Sequence, residues 1–381
     1  MIVFISSLFI ITLLYIFIIF SYTYYIRQLE ISTNFPIDNF RKVSIIIPAR
    51  NESYCIIELL RAIKNQDYPV QFYEIIVIDD ASTDNTAQLV HCFADGHPEI
   101  NCKIIKIEND ILRPTYKKFA IGKGIQIATG ELIITTDADC VAGPGWISGI
   151  VNKYNKTKAK MLVGLVAYHD DDTNFQKIQH LEFLSLIASS IAAVKSGYPI
   201  MCNGANLTYE RKAFDEVNGF DSNDQFASGD DVFLLLKMKK HFGRKSIVVL
   251  DDRNTIVYTK AKKNLSEFIH QRIRWASKTK GYKDPTILLV AGIVFAFNVS
   301  IILTFLSGFV LHQFLILSFY LFSIKLIVDF PIMVFVCKYL NRNDLLRYYV
   351  PLQLIYLPYV LLIGIISNFV SYQWKGRIIK K

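Results

Sequence analysis

The sequence predicts an α/β domain with a mostly parallel sheet, set between membrane-spanning helices at the two ends of the chain. Three observations lead there. The run from Ile2 to Ile26 holds no charged side chain, short β-branched stretches alternate with helical patterns between residues 43 and 135, and long apolar stretches return after residue 287. With 52% hydrophobic residues among 381, the chain is more apolar than an ordinary soluble enzyme. The pattern divides it into an N-terminal transmembrane anchor (1–27), a central α/β domain (40–260), an interfacial amphipathic helix (261–285) and C-terminal transmembrane or re-entrant helices (286–371).

The first run is long enough to cross about 30 Å of hydrocarbon as a helix. A cleaved signal peptide is the competing explanation. It fits poorly: no basic segment precedes the run, the run is too long for a signal core, and no small-residue cleavage site follows. The second apolar region, 287–336, is interrupted at His312-Gln313 and reads as two spans joined by a hairpin. Lys325 and Asp329 inside it stand four apart, so they share a helical face and can neutralise each other. The third run, 348–370, contains Pro351 and Pro358.

Arg27, Arg41 and Lys42 follow the first span and nothing charged precedes it, which places the central domain in the cytoplasm. Lys338, Arg342 and Arg347 agree. The last run conflicts, because a full crossing would put Lys375, Arg377, Lys380 and Lys381 outside; a re-entrant segment would resolve it. The net charge of +9 comes from basic residues beside membrane segments, so anionic lipid, and not nucleic acid, is the expected partner. Cys55, Cys92, Cys102, Cys140, Cys202 and Cys337 lack metal-ligand spacing and are expected to be inert core thiols.

In the central domain, 43–47 reads as a buried strand stopped at Pro48, followed by a helix over 52–64 with Ile56, Leu59, Leu60 and Ile63 at helical spacing. The alternation continues with strand 74–78, helix 86–93, strand 103–107, helix 117–128 and strand 132–135. Such alternation builds a right-handed parallel sheet with helices on both faces, and ligands collect beyond the carboxyl ends of its strands.

Polar groups cluster at those ends. Pro48-Ala49-Arg50-Asn51-Glu52 ends the first strand and Asp79-Asp80-Ala81-Ser82-Thr83-Asp84 the second. Ser82 and Asp84 suit helix capping, whereas the adjacent Asp79 and Asp80 repel each other unless something binds them, a ribose or base edge being one candidate. Asp137-Ala138-Asp139 follows the strand 132–135; in an extended segment its two carboxylates point the same way and suit one hard cation, with positions left for diphosphate oxygens. Ser228-Gly229-Asp230-Asp231 opens an apolar helix, where the acids serve either the helix dipole or as a general base. Gln271-Arg272-Ile273-Arg274-Trp275 lies on a basic amphipathic stretch, 264–278, before the membrane region. The apolar stretch 181–194 is expected to lie along the membrane surface.

Together and in this order, Ile47 to Glu52, Asp79 to Asp84, Asp137-Ala138-Asp139, Gly229-Asp230-Asp231 and the Q-x-x-R-W element resemble the family 2 glycosyltransferases of GT-A fold. The resemblance covers about residues 43–280 and implies a GT-A catalytic domain. It further implies that Asp231 is the catalytic base, with Asp139 and Arg274 also catalytic. Pro48, Ala49, Arg50, Glu52, Asp80, Lys117, Asp137, Gln271 and Trp275 would bind the donor, with Lys118 the rival to Lys117. Asp137 and Asp139 would hold a divalent cation, Mg2+ or Mn2+, and Asn203, Gly204 and Trp275 would meet the acceptor. The family usually has Glu-Asp where this chain has Asp230-Asp231.

The implied reaction is inverting transfer from a nucleotide-diphosphate sugar, expected to be a UDP-sugar, to a lipid or glycan acceptor at an inner or plasma membrane. A processive polysaccharide synthase is the rival within enzymes, and a catalytically silent assembly partner the rival outside them.

Overall fold

The computed structural model describes residues 2–29, 39–108, 116–169, 171–221, 229–367, 369–375 and 377–379. Ser228 at the head of its motif and the terminal Lys380 and Lys381 lie outside the described residues.

From the amino end come α1 (Ile2–Ile26), β1 (Val43–Ala49), α2 (Ile56–Lys64), β2 (Tyr73–Asp80), α3 (Thr86–Gly96), β3 (Asn101–Ile107), α4 (Tyr116–Ile127) and β4 (Leu132–Thr135). There follow β5 (Val141–Ala142), α5 (Trp146–Thr157), β6 (Met161–Val163), β7 (Val166–His169), α6 (Asn174–Lys195), β8 (Leu207–Glu210), α7 (Arg211–Glu216), α8 (Val232–Phe242), β9 (Ile247–Val249) and β10 (Val257–Lys260). The chain closes with α9 (Leu265–Ser277), α10 (Pro285–Ser307), α11 (Gln313–Tyr339), α12 (Tyr349–Ile366) and a hairpin of β11 (Tyr372–Trp374) and β12 (Arg377–Ile379). Two compact units result. A helical unit takes Met1–Gln28, Asp171–Ser196 and Ala261–Lys381; a sheet unit takes Leu29–Asp170 and Gly197–Lys260.

The sheet unit holds seven strands in the order β3-β2-β1-β4-β8-β6-β9. All neighbours are parallel except β8, which is antiparallel to both β4 and β6. The mostly parallel α/β sheet read from the alternation is therefore present. Every residue of β2 is buried, as the apolar run 75–78 at its centre requires for a strand covered on both faces. Pro48 does not stop β1, which runs on to Ala49. The β1–β4 ladder ends at Ile46, so on that side the proline interrupts no pairing. The helix expected from residue 52 starts only at Ile56, because the Glu52 carbonyl first closes a turn with the amides of Cys55 and Ile56, both at 2.9 Å.

Strand order places the site. The chain steps from β1 to β2 to β3, then returns to lay β4 on the opposite side of β1, so the order reverses between β1 and β4. That reversal opens a crevice at the strands' carboxyl ends. Helix α4 runs back across β1 and β2 before β4 begins, which brings its first turn to the same edge. Close contact demands glycine there: a Cβ on Gly124 would stand 2.7 Å from Ile78 Cδ1.

Glu74 is buried at the opposite end of β2. Its carboxylate accepts from Ser44 Oγ at 2.7 Å, from the Thr129 amide at 2.6 Å and from Lys103 Nζ at 2.9 Å. Burial alone would raise its pKa, but these bonds to Lys103, Ser44 and Thr129 bring it from the ordinary 4.5 down to about 2. A folded pKa below the unfolded one means that the stabilisation is complete above about pH 4.5 and is lost as pH falls toward 2. Thermal unfolding in detergent at stepped pH should show Glu74→Gln with a flatter acid limb than the wild type. Superimposable acid limbs would remove Glu74 as an acid-labile contact.

In the helical unit, four helices are long and apolar enough to cross a membrane: Val3–Ile26, Pro285–Ser307, Gln313–Tyr339 and Asn343–Ile366. The last continues through Pro358 without a break in α12. Leu8, Tyr15, Phe297, Ile301 and Leu321 form the core shared by α1, α10 and α11. Lys325 and Asp329 do pair, at 2.7 Å, and the sequence reading missed their third member: Tyr15 of α1 donates to Asp329 Oδ1 at 2.6 Å and accepts from Lys325 Nζ at 3.0 Å. Charges inside an apolar bundle persist only when satisfied in this way.

Helix α6, which holds the stretch 181–194, differs from expectation. It is largely buried and packs against α1, α11 and α12 within the unit, not along an open surface. Its polar residues explain why. Gln179 exchanges hydrogen bonds with the Lys262 backbone, His180 meets Asp171 at 2.8 Å and Glu182 pairs with Arg272, so each buried polar side chain has a partner. The cysteines also divide: all six are free thiols, but only Cys140, Cys202 and Cys337 are buried, while Cys92 is exposed on α3.

Candidate active site

Three chain segments converge on Lys117 in the second position of α4. Its ammonium lies 2.6 Å from Asp137 Oδ1, just past β4, and 3.5 Å from Asp230 Oδ2, just before α8. Burial, with 16% of the side chain exposed, would lower its pKa; Asp137, Asp230 and Asp231 outweigh that and hold it above the ordinary range, so Lys117 stays charged. Lys118 is the neighbouring lysine. It is buried on another face of α4, with Nζ 5.5 Å from the centre of the Phe233 ring.

The antiparallel β8 supplies the floor. Because Leu207 pairs with Thr135, the loop before β8 passes beside the end of β4, and Thr135 Oγ donates to the Gly204 carbonyl at 3.0 Å. A Cβ on Gly204 would stand 2.9 Å from Asp230 Oδ2 and 3.6 Å from Lys117 Nζ, so the backbone passes close beside the charges. Asn203 turns inward: its side chain accepts from the Ala205 amide at 3.0 Å and shapes the loop. Asn206 is structural, taking the Trp146 indole N–H and donating to the carbonyls of Leu165 and Thr255.

The Asp-x-Asp segment is not extended. The Cys140 amide donates to the Asp137 carbonyl at 3.1 Å and closes a turn, because β4 ends at Thr135 and the chain must reverse toward β5. Ala138 is buried within the turn while Asp137 and Asp139 are both partly exposed. Asp231 does cap α8, its Oδ1 accepting from the Val232 amide at 2.7 Å. It is more open than Asp230, which is buried against Lys117.

The loops after β1 and β2 are stitched together. Arg50 donates to the carbonyls of Asp80 and Ala81 at 2.6 and 2.8 Å, the Asn51 amide donates to Ser82 Oγ, and the Glu52 amide to Thr86 Oγ. Asn51 and Ala81 both adopt positive φ, 52° and 53°, at these sharp exits. Asn85 is the N-cap of α3; Asp84 just before it accepts from the Thr86 amide at 3.0 Å, whereas Ser82 serves Asn51. Asp79 and Asp80 do not confront each other, since neighbours on a strand point to opposite faces and Asp79 takes the Ser82 amide. Pro48 and Ala49 form the last two residues of β1 beside them.

Gln271, Arg274 and Trp275 belong to α9 of the helical unit, at i, i+3 and i+4 on one face. Arg274 is partly exposed and has no ion-pair partner among the described residues. Two partnerships escaped the sequence reading, Lys117 with Asp230 and Arg272 with Glu182, each joining residues about 90 or more positions apart. No linear pattern announces them.

Residues 44–217 match the family model for glycosyl transferase family 2, and residues 132–376 match that for glycosyl transferase family group 2. The chain belongs to the family 2 glycosyltransferases. Among solved structures, this glycosyltransferase is similar to the mannosyltransferase PcManGT from Pyrobaculum calidifontis, in complex with GDP-Man and Mn2+. The two share 18% identity over 97% of each chain, with a TM-score of 0.61. The sheet unit of the glycosyltransferase is accordingly GT-A-like. The chain also matches residues 1–349 of S. aureus TarS in complex with UDP, at 16% identity over 88% of this chain and 95% of that one, with a TM-score of 0.47.

Proposed function

We propose that this glycosyltransferase moves a sugar, with inversion, from a nucleoside-diphosphate donor to a lipid acceptor at the cytoplasmic face of a membrane. The observation that carries the proposal is the cluster of Lys117, Asp137, Asp230 and Asp231 at the carboxyl ends of the strands, where the sheet order reverses. A UDP-sugar is the first donor to test, and GDP-mannose the second, since the similar mannosyltransferase was solved with GDP-Man.

Asp231 takes the proton from the acceptor hydroxyl. The freed oxygen attacks the anomeric carbon as the bond from that carbon to the diphosphate oxygen breaks, and the nucleoside diphosphate leaves with the bonding electrons. Lys117 holds Asp137 and Asp230 in place. Asp80 takes the nucleoside, while Arg50 and Glu52 brace the loops around it. By the sequence resemblance, Arg274 and Gln271 meet the diphosphate, Trp275 offers a flat face to a sugar, and Asn203 shapes the loop in which Gly204 leaves room for the acceptor.

Asp137 and Asp139 fit a divalent cation. They offer carboxylate oxygens, which suit Mg2+ or Mn2+ shared with substrate phosphates and water. Such an ion supplies Lewis-acid neutralisation of the departing diphosphate. Four apolar helices and the basic residues flanking them support the membrane-bound acceptor.

The purified full chain in detergent, given a panel of nucleotide sugars and a membrane lipid extract, should consume one donor and add one sugar mass to a lipid. Long polymer from the same assay would overturn single transfer in favour of a processive synthase. Failure to consume any donor would overturn the catalytic reading.

A further inference from the structure

Arg272, between the outward residues of Q-x-x-R-W, is itself almost fully buried at 3% exposure, and its guanidinium is held on several sides. It ion-pairs with Glu182 of α6, it donates to Gln271 Oε1 at 2.9 Å, and it stacks over the Trp275 ring at 4.2 Å. Glu182, 4% exposed, is held in turn by the Tyr359 hydroxyl of α12 at 3.4 Å. Phe183, next to Glu182, packs against Trp275 with ring centroids 5.8 Å apart. All of this lies inside the helical unit.

A buried ion pair adds little net stability over an apolar pair of the same volume, so stability alone explains this arrangement poorly. Orientation explains it better. Arginine has donors and no acceptor, so the amide oxygen of Gln271 must face it, and the nitrogen with two N–H donors is presented away. A planar guanidinium stacked on an indole also fixes the ring plane, which a lysine ammonium on a flexible stem does not.

We propose that Arg272, held by Glu182, is a positioning residue of the transfer reaction, presenting the Gln271 amide N–H groups to the anionic diphosphate of the donor and setting the plane of Trp275. This rests on the proposed reading that Gln271 and Trp275 meet the substrates. The test uses the full chain with 5-fluorotryptophan at its three tryptophans, Trp275→Phe assigning the third 19F resonance. Arg272→Lys keeps the charge that Glu182 needs, so the thermal midpoint should stay within about 4 °C of wild type. The Trp275 resonance alone should shift, and KM for the donor should rise about tenfold with a smaller change in kcat.

An unmoved Trp275 resonance, or a lower kcat at unchanged KM as expected from a merely reduced folded fraction, would overturn the proposal. If Arg272→Lys does not fold, Glu182→Gln carries the same two readouts. Should the wild type transfer no sugar at all, the functional reading falls separately, and the resonance still decides whether Arg272 orients Trp275.

Discussion

Replacing Asp231 by asparagine is expected to lower the turnover number by about 10²- to 10⁴-fold, the usual contribution of a positioned general base, while nucleotide binding survives. The substitution isolates chemistry from folding for a structural reason. Asp231 caps α8 through the Val232 amide, and asparagine caps about as well as aspartate, so the helix start is preserved. Lys117 keeps Asp137 and Asp230 as counter-charges, so the rest of the cluster stays neutralised. Turnover followed by nucleoside-diphosphate release, together with calorimetric titration of the nucleotide, separates the two effects. Wild-type turnover in Asp231→Asn would remove this residue from the mechanism. Asp230→Asn provides the contrast: it takes away a buried charge facing Lys117 and the Gly204 loop, so donor affinity should weaken along with rate.

Chelation should have an effect of comparable size. With divalent ions removed, transfer is expected to fall by about 10³-fold or more, in keeping with the several kcal/mol that a Lewis acid contributes at a developing anion, and Mn2+ or Mg2+ should restore it. Asp137→Asn and Asp139→Asn should each raise the ion concentration for half-maximal rate by at least about tenfold, because each removes one of the two carboxylates proposed to hold the ion. The two variants should differ in a second respect. Asp137 also holds Lys117 at 2.6 Å, so Asp137→Asn leaves that ammonium with fewer counter-charges and should weaken nucleotide binding with or without metal. Undiminished transfer in chelator would eliminate the cation from the reaction.

Much of the sheet unit was readable from local pattern. The continuous apolar runs of β1, β2 and β4 and the helical spacing of α2 each reflect burial, which periodicity reports directly. Strand-end acids were readable as candidates for the same reason, since polar residues that interrupt such runs must sit at an edge. What failed was inference from adjacency. Asp79 and Asp80 looked like a repelling pair but face opposite ways, and Asp137-Ala138-Asp139 looked extended but lies in a turn that Cys140 closes. Helix α6 looked like a surface element because its apolar count was visible and the partners of Gln179, His180 and Glu182 were not.

The sequence alone determined the family, the alternating α/β plan, the long apolar helices and the set of residue types available for sugar transfer, because all of these depend on composition and on short-range periodicity. The tertiary structure decided which of those residues act together. Asp137 and Asp230 were joined through Lys117, and Gly204 was laid beside Lys117 and Asp230, by strand order and by the antiparallel β8, which bring residues about 20 to more than 110 positions apart to one edge of the sheet. Arg272 changed from a filler in a motif to its internal brace for the same reason: its meaning lies in Glu182 and Trp275, and only packed helices put those side chains against one guanidinium.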